Sequence, residues 1–285
     1  MPTARLDDRA LITVSGPDAE HFLQNIVTAD LDALKSGEAK PSALLTPQGK
    51  ILFDFLVSRN GTDAFLLECR ADIADDFVRR LTLYKMRAKV EISKQEESLV
   101  AVSWGTESGA SQTDSSWLRD LRFPEASPVR RSYEAETDSG GIAAWHALRV
   151  TNGLAESGTD FALGDAFPHD VLLDQTGGVG FRKGCYVGQE VVSRMQHRGT
   201  ARRRVLIVSG ERLPTPGTEI TAGGRALGTL GSTAAGKGLA ILRIDRVKDA
   251  LDAGVTILAG DVAVDVAIPP WASFTFPKGV SGEDA

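Results

Sequence analysis

The first part of the chain alternates between β-prone runs and amphipathic stretches. Residues 10–14 predict a strand, and the Ser-Gly-Pro-Asp sequence at 15–18 predicts the start of a helix. Two apolar runs, residues 50–58 and 64–69, lie on either side of Asn60-Gly61. An Asn-Gly pair between two such runs is a strong hairpin signal, so we expect these runs to pair.

Further along, the pattern predicts a helix, a strand, two loops and then a β-rich domain. Apolar residues recur at spacing four over 71–85, which is typical of an amphipathic helix, and residues 88–92 return to a strand pattern. The polar segments 105–116 and 132–141 predict surface loops. From residue 203 onward, short β-prone runs are separated by turn residues, which favours an all-β barrel or sandwich.

Composition places the chain among ordinary folded proteins. The 285 residues are 42% hydrophobic and 25% charged. The net charge of −6 argues against binding duplex nucleic acid or an anionic membrane through the whole surface. The sequence has no apolar stretch long enough to cross a membrane. It also shows no signal peptide, because Asp7 and Asp8 stand where the apolar region of a signal peptide is expected. Two cysteines are too few for a disulfide scaffold or a four-thiolate zinc site, and we therefore expect a cytoplasmic protein.

Two weaker motifs do not predict a site. Residues 231–238 nearly form a phosphate-binding loop, but the final hydroxyl is missing and residues 239–244 have a strand pattern where a helix is required. The four histidines lack the spacing of a metal site, so no metal is expected.

A basic stretch stands out between residues 181 and 204. It carries a net charge of +6, which leaves −12 for the rest of the chain. Such segregation favours attraction of an anionic ligand, although a solvated charged helix face is the alternative. An RNA-binding module is a further alternative, but the stretch lacks interleaved aromatic residues apart from Tyr186.

Cys185 lies within this basic stretch, two residues after Lys183 and just before a helix expected to begin near Gly188. A thiol beside cations and a helix N-terminus is expected to have a lowered pKa and to be reactive. The alternative is a small buried side chain. Burial is the better explanation for Cys69, which lies in an apolar run.

The segment from Lys183 to Glu190 reads KGCYVGQE and matches every fixed position of the K-G-C-Y-x-G-Q-E signature of the YgfZ-type folate-binding family. This family is related to the T-protein of the glycine cleavage system. Residues 21–31, 81–92, 148–153 and 269–271 resemble other segments of the family in the same order. The resemblance therefore covers nearly the whole chain.

The resemblance implies an α+β fold, in which two folate-binding domains and a C-terminal all-β barrel form a T-protein-like ring. Residues 1–202 would hold the two interleaved folate-binding subdomains, roughly 1–48 with 118–202 and 49–117. Residues 203–285 would form the barrel.

The implied function is that of a folate-binding accessory factor in iron-sulfur protein assembly or repair, including support of tRNA-modifying enzymes. The ligand would be tetrahydrofolate or a one-carbon derivative, and iron-sulfur client proteins would be the partners. We expect a monomer with no membrane association and no direct nucleic-acid binding. Whether the protein is an enzyme stays open, and the alternative is a tetrahydrofolate-dependent aminomethyltransferase-like enzyme.

The resemblance also implies roles for single residues. Cys185 and Lys183 would carry the chemistry, and Trp145 would stack on the pterin ring. The other implied folate-binding residues are Asp54, Arg149, Tyr186, Gln189 and Glu190.

Three positions depart from the related patterns. Asp54 is a single carboxylate where the T-protein pattern has adjacent acids, which weakens the case for aminomethyl transfer. Thr151 replaces a glutamate, and Arg9 stands where some relatives have tryptophan. A hydroxyl at position 151 cannot make a carboxylate's paired hydrogen bonds, so folate binding is expected to be weaker or differently built.

Overall fold

The computed structural model describes residues 1–105, 116–138 and 141–277. The chain divides into two compact units, Met1–Trp145 with Thr176–Ser193 and His146–Gln175 with Arg194–Ala285. This division differs from the predicted boundary at residue 203, which stays a prediction. Among the described residues, none of the helices is long and apolar enough to cross a membrane.

The first unit is built on a nine-stranded sheet with the strand order β1-β7-β9-β8-β3-β4-β5-β2-β6. Strands β3 and β8 pair in parallel, whereas β4 pairs with β3 and β5 in antiparallel fashion. The strands are Thr3–Arg5 (β1), Arg9–Ser15 (β2), Glu38–Leu45 (β3), Ile51–Arg59 (β4), Ala64–Arg70 (β5), Glu91–Lys94 (β6), Ala101–Trp104 (β7), Trp117–Asp120 (β8) and Val129–Ser132 (β9).

Two helices cover one face of this sheet. They are Ala19–Gln24 (α1) and Ala74–Lys85 (α2), the latter preceded by a 3-10 turn at Ala71–Ile73. Phe77 and Leu81 of α2 are buried against Phe55 and Leu67 on alternate positions of β4 and β5. This period-two burial on the strands and period-four burial on the helix are what the sequence pattern predicts.

The local predictions for this unit are mostly confirmed. The hairpin forms between β4 and β5, and Gly61 in the turn has a φ of +81°. The strand predicted at residues 10–14 lies within β2. The helix predicted at residues 71–85 is formed by the 3-10 turn and α2. The strand predicted at 88–92 begins instead at Glu91, because residues 86–90 form the connection from α2. Most of the predicted loop 105–116 lies outside the described residues.

The second unit contains a seven-stranded sheet with the order β15-β14-β11-β12-β13-β10-β16, in which the neighbouring strands are antiparallel. Its strands are Arg203–Ser209 (β10), Glu219–Ala222 (β11), Arg225–Ala234 (β12), Lys237–Arg243 (β13), Ile257–Ala259 (β14), Val262–Ala263 (β15) and Asp265–Ala267 (β16). Ala235 and Gly236 both have positive φ and make the turn between β12 and β13. Residues 231–238 thus form a β-hairpin and are not directly followed by the helix that a phosphate-binding loop requires.

The sequence pattern missed two helices and predicted a third. A helix, Ile244–Asp252 (α5), packs Ile244 and Val247 into the core of the β-rich unit. Trp145 lies on the helix Ile142–Thr151 (α3), where the sequence pattern predicts no helix. The predicted helix near Gly188 is confirmed as Gln189–Arg198 (α4), and both α3 and α4 contain a point where the chain passes between units.

Candidate functional site

The residues that match the KGCYVGQE signature lie in a segment, residues 178–191, that we call the motif segment. Two hydrogen bonds attach its start to the connection between α1 and β3. The Thr28 hydroxyl donates to the carbonyl of Gly178 at 2.7 Å, and the Gly180 N–H donates to the carbonyl of Thr28 at 2.8 Å. Thr28 is fully buried and its Oγ1 also accepts the Ala43 N–H, so this attachment is part of the core.

Lys183 attaches the motif segment at a second point. Its Nζ donates to the carbonyls of Val27 at 2.9 Å and Ala29 at 2.7 Å. Burial lowers the pKa of Lys183 to about 8, although Asp30 and another nearby acid oppose the shift. The ammonium therefore has a structural role, because its hydrogen bonds to these two carbonyls hold the motif segment in place.

Tyr186 and Gly188 fix the other end of the motif segment. The Tyr186 side chain is buried, its ring centroid lies 5.3 Å from Lys183 Nζ, and burial raises the pKa of its phenol to about 12. Gly188 has a φ of +80°, and a Cβ there would lie 2.6 Å from the carbonyl oxygen of Thr46. Only glycine fits this close approach without strain.

Cys185 is exposed between these attached residues. A Cβ on the preceding Gly184 would meet nothing within 4 Å, so the backbone here faces open space. Cys69 is the opposite case, because its side chain is fully buried and burial raises the pKa of its thiol to about 12. The prediction that Cys69 is a buried structural residue is confirmed, whereas the buried alternative for Cys185 is wrong.

Gln189 and Glu190 begin helix α4. The Gln189 N–H donates to the carbonyl of Tyr186 at 3.2 Å, which closes the turn into the helix. Glu190 is exposed in the first helical turn, where a carboxylate interacts favourably with the helix dipole. These two residues follow Cys185 by four and five positions in the sequence.

A buried group of charges on the same unit was not predicted. Arg131 is fully buried and forms ion pairs with Glu68 and Asp120, both almost fully buried. Burial alone would raise the pKa of Asp120, but the guanidinium groups of Arg122 and Arg131 outweigh it and hold the pKa well below its usual range. The four residues come from strands β5, β8 and β9 and the turn after β8, so no local pattern could have brought them together.

Trp145 packs against this charged cluster. Its ring is only 1% exposed, it lies 5.4 Å from the guanidinium carbon of Arg131, and the rings of Trp104 and Phe123 are 6.2 and 5.6 Å away. An enclosed ring offers no open face for a pterin. The structure therefore corrects the implied stacking role and favours core packing, which the sequence could not separate from it.

Arg149 is also committed to the fold. It is 2% exposed in the second unit, where it donates hydrogen bonds to Asp160 Oδ2 and Ser232 Oγ, each at 2.7 Å, and forms an ion pair with Glu156. These groups occupy the guanidinium of Arg149. The folate contact implied by the resemblance is therefore replaced by a structural role in this unit.

Within the described residues, two of the implied folate-binding residues, Asp54 and Tyr186, have a buried polar atom with neither a hydrogen bond nor an ion pair. The buried Arg149 Nε also makes no hydrogen bond, but it lies 3.2 Å from Glu156 Oε2 in an ion pair. Within the described residues, Asp54 Oδ1 and the Tyr186 hydroxyl are shielded from solvent without a hydrogen-bond partner. Buried polar atoms of this kind are normally satisfied, so each could accept or donate a bond to a polar ligand. Asp54 and Tyr186 thus keep the kind of polar atom that a ligand such as a folate could use, whereas the ring of Trp145 is enclosed and the guanidinium of Arg149 is ion-paired.

Part of the basic stretch is used inside the protein. Arg204 is buried and pairs with Asp174 at 2.6 Å, and Arg203 pairs with Asp165 at 3.2 Å. Together with Lys183, at least three of its seven cations thus have partners within the chain, which weakens the expected attraction of an anionic ligand. Among the described residues, no three metal-ligating side chains lie together.

Comparisons with known proteins agree with this organisation. Residues 8–109 match the family described as the GCVT N-terminal domain, and residues 202–274 match the CAF17 C-terminal beta-barrel domain. The mouse iron-sulfur cluster assembly factor IBA57, mitochondrial, is 31% identical over 94% of this chain and 84% of its own length. This chain belongs to the IBA57 family. The human IBA57 protein is 29% identical over the same shares of the two chains.

Coverage of the IBA57 relatives varies. The Chaetomium globosum homolog is 33% identical, but the match covers 71% of this chain and only 55% of that protein. These relatives are named as mitochondrial proteins, so the predicted cytoplasmic location is wrong. They support the wider group of T-protein-like folate-binding proteins and not the YgfZ branch in particular.

The fold class is confirmed by a solved structure. The glycine cleavage system aminomethyltransferase T from Bartonella henselae superimposes with a TM-score of 0.74, covering 97% of this chain and 87% of that one. The sequence identity is 17%, so the likeness shows the fold of this IBA57-family chain and leaves its chemistry to the site.

Proposed function

We propose that this protein is an iron-sulfur cluster assembly factor and that Cys185 is its transient iron ligand. The observation that carries the proposal is the position of Cys185, which is an exposed thiol on a segment attached to the core at Thr28, Lys183 and Gly188. The relatives named as iron-sulfur cluster assembly factors support it.

The chemistry is that of a thiol which loses its proton and binds iron as a thiolate. Clusters are held by about four such ligands. Cys185 is the one exposed cysteine of two, and within the described residues no ligand cluster surrounds it. The remaining ligands must therefore come from the cluster itself or from a partner protein, so we propose that the chain acts in contact with an iron-sulfur client or carrier.

The test is complementation of cells that lack the protein, using Cys185→Ser and the matched control Cys69→Ser. We expect Cys185→Ser to fold normally and to fail to restore the activities of iron-sulfur enzymes. Cys69→Ser should restore them after allowance for a hydroxyl in an apolar strand. Full restoration by folded Cys185→Ser would refute the role of the thiol.

A reduced folate, tetrahydrofolate or a one-carbon derivative, is the ligand that we propose for Asp54 and Tyr186. When bound, a one-carbon derivative would supply a one-carbon unit and tetrahydrofolate would accept one, and the residues of this chain would only orient the ligand. The support is the pair of shielded polar atoms and the GCVT-like fold. Calorimetry with tetrahydrofolate should show about tenfold weaker binding for Asp54→Asn and an unchanged affinity for Trp145→Phe. Equal affinity of Asp54→Asn and the unmodified protein would remove Asp54 from the site.

Two further parts of the proposal concern clients and assembly state. Client enzymes that modify tRNA would show as lower modified-base content in tRNA from cells without the protein. A monomer without direct RNA binding would show as a single 30.4 kDa species whose sedimentation does not change on addition of RNA.

A further inference from the structure

The C-terminal end of helix α2 carries two unusually exposed apolar side chains. Leu83 is 72% exposed and Met86 is 88% exposed, the highest values among the large hydrophobic residues that the structure describes. Leu83 lies in the last turn of α2, and Met86 is the first residue after the helix. Single apolar residues on a surface are ordinary, but two of this exposure within four residues are a candidate for an interaction site.

The same segment is strongly basic. Residues 79–89 carry five cations and no acid, so their net charge is +5 against −11 for the rest of the chain. Arg79 is paired with Asp76. In the described parts of the chain, no acidic side chain pairs with the remaining four, which are Arg80, Lys85, Arg87 and Lys89.

The backbone at Met86 holds this arrangement in place. Met86 has φ +43° and ψ −102°, a conformation that residues other than glycine rarely adopt. Behind it, the Ala88 N–H donates to the carbonyl of Lys85 at 2.8 Å, and the Lys89 N–H donates to Asp18 Oδ2 at 2.7 Å. Met86 is thus projected into solvent by a fixed turn, and strained backbone of this kind is common at binding surfaces.

We propose that residues 79–89, here called the basic knuckle, dock a partner protein whose acidic surface surrounds an apolar pocket. Leu83 and Met86 would enter the pocket, and the four cations would face the acids around it. Methionine suits such a contact because its side chain adapts to irregular pockets. Charge complementarity would give the encounter its speed and its sensitivity to salt.

The geometry favours a protein over a membrane or an RNA. A helix that lies in a membrane presents a whole apolar face, but the apolar face of α2, with Phe77 and Leu81, is buried in the core. Only one turn is left for insertion. Single-stranded RNA is bound by stacking on exposed aromatic rings, and the one aromatic residue of the knuckle, Tyr84, packs against the core.

The basic knuckle and the motif segment contact different residues of the first unit. It contacts the start of α1 through Asp18, whereas Lys183 of the motif segment contacts Val27 and Ala29 after α1 ends. The inference therefore does not depend on the chemistry of Cys185.

The test places the photo-crosslinker benzoylphenylalanine at Met86 in the full-length protein in cells, with Leu251 as the matched control. Leu251 is apolar and 48% exposed, but it lies beside Asp252 and outside any basic segment. We expect crosslinks from position 86 that map by mass spectrometry to acidic segments of a protein. They should disappear with Arg80→Glu and Arg87→Glu and persist with Cys185→Ser.

Binding of the purified partner then checks the apolar contact. Leu83→Ser with Met86→Ser should weaken the affinity by at least about tenfold, as for loss of apolar anchors from a pocket, and added salt should weaken it further. Both side chains are exposed, so circular dichroism should show an unchanged fold. No crosslink above the Leu251 control, crosslinks to lipid or RNA, or crosslinks that survive the charge reversals would overturn the proposal.

Discussion

Replacing Lys183 with methionine tests how the motif segment is held. The substitution keeps the length of the side chain but removes the ammonium that donates to the carbonyls of Val27 and Ala29. A hydrogen bond from a charged donor contributes about 1.5–3 kcal/mol. The burial that lowers the pKa of Lys183 offsets part of this, and water can reach a half-buried site. We therefore expect the free energy of unfolding to fall by about 2 kcal/mol.

The pH dependence of stability gives a second readout. The pKa of Lys183 is about 8 in the folded protein against 10.5 for an ordinary lysine. Between these values the unfolded chain binds more protons, so the contribution of Lys183 to the free energy of unfolding rises with pH. Below about pH 8 both states are protonated and this contribution is flat. The free energy of unfolding of Lys183→Met should lack this rise with pH.

Urea unfolding between pH 7 and 10.5 and hydrogen exchange of the Gly180 and Gln189 amides would measure both effects. Lys248→Met is the control, because Lys248 pairs with Asp252 on the surface of α5 and its loss should cost only about 0.5 kcal/mol. A loss below 0.5 kcal/mol for Lys183→Met, with unchanged protection of both amides, would show that Lys183 does not hold the segment.

Three further outcomes follow from burial and close contact. Arg131→Met should lower the free energy of unfolding by about 3–5 kcal/mol, measured in urea, because Glu68 would stay buried without its cation; a second change, Glu68→Gln, should recover part of it. Gly188→Ala should cost about 2 kcal/mol or more in the same assay, since the new Cβ meets Thr46 at positive φ, whereas Gly184→Ala should be neutral. Iodoacetamide should label Cys185 in the native protein and Cys69 only after unfolding; equal native labelling would contradict the burial of Cys69.

Elements defined by local residues could be predicted from the sequence. The β4–β5 hairpin follows from Asn60-Gly61 between two β-prone runs, and α2 follows from apolar positions at spacing four. Helix α5 was missed because its short span directly continues β13, so that Ile244 looked like the end of a strand. The local sequence pattern does not show where a strand ends and a helix begins when no turn residue stands between them.

The candidate site could be predicted only where a contiguous motif carried it. Lys183 and Cys185 were found because they lie within one eight-residue signature. The partners that attach the motif segment, such as Thr28, lie about 150 residues away in sequence, and hydrogen bonding to a distant carbonyl leaves no local pattern. For Trp145 a ligand contact was expected where the structure shows core packing. The sequence alone does not distinguish an aromatic residue in a core from one at a ligand.

Some residues of the signature hold the motif segment in place, and another is exposed to solvent. Lys183, Tyr186 and Gly188 are turned into the protein, and each meets a specific neighbour, whereas Cys185 meets solvent. A transient iron ligand needs both properties. Exposure lets a partner remove the iron again, and a fixed backbone means that little conformational freedom is lost each time the contact forms. A buried thiol such as Cys69 has the second property without the first.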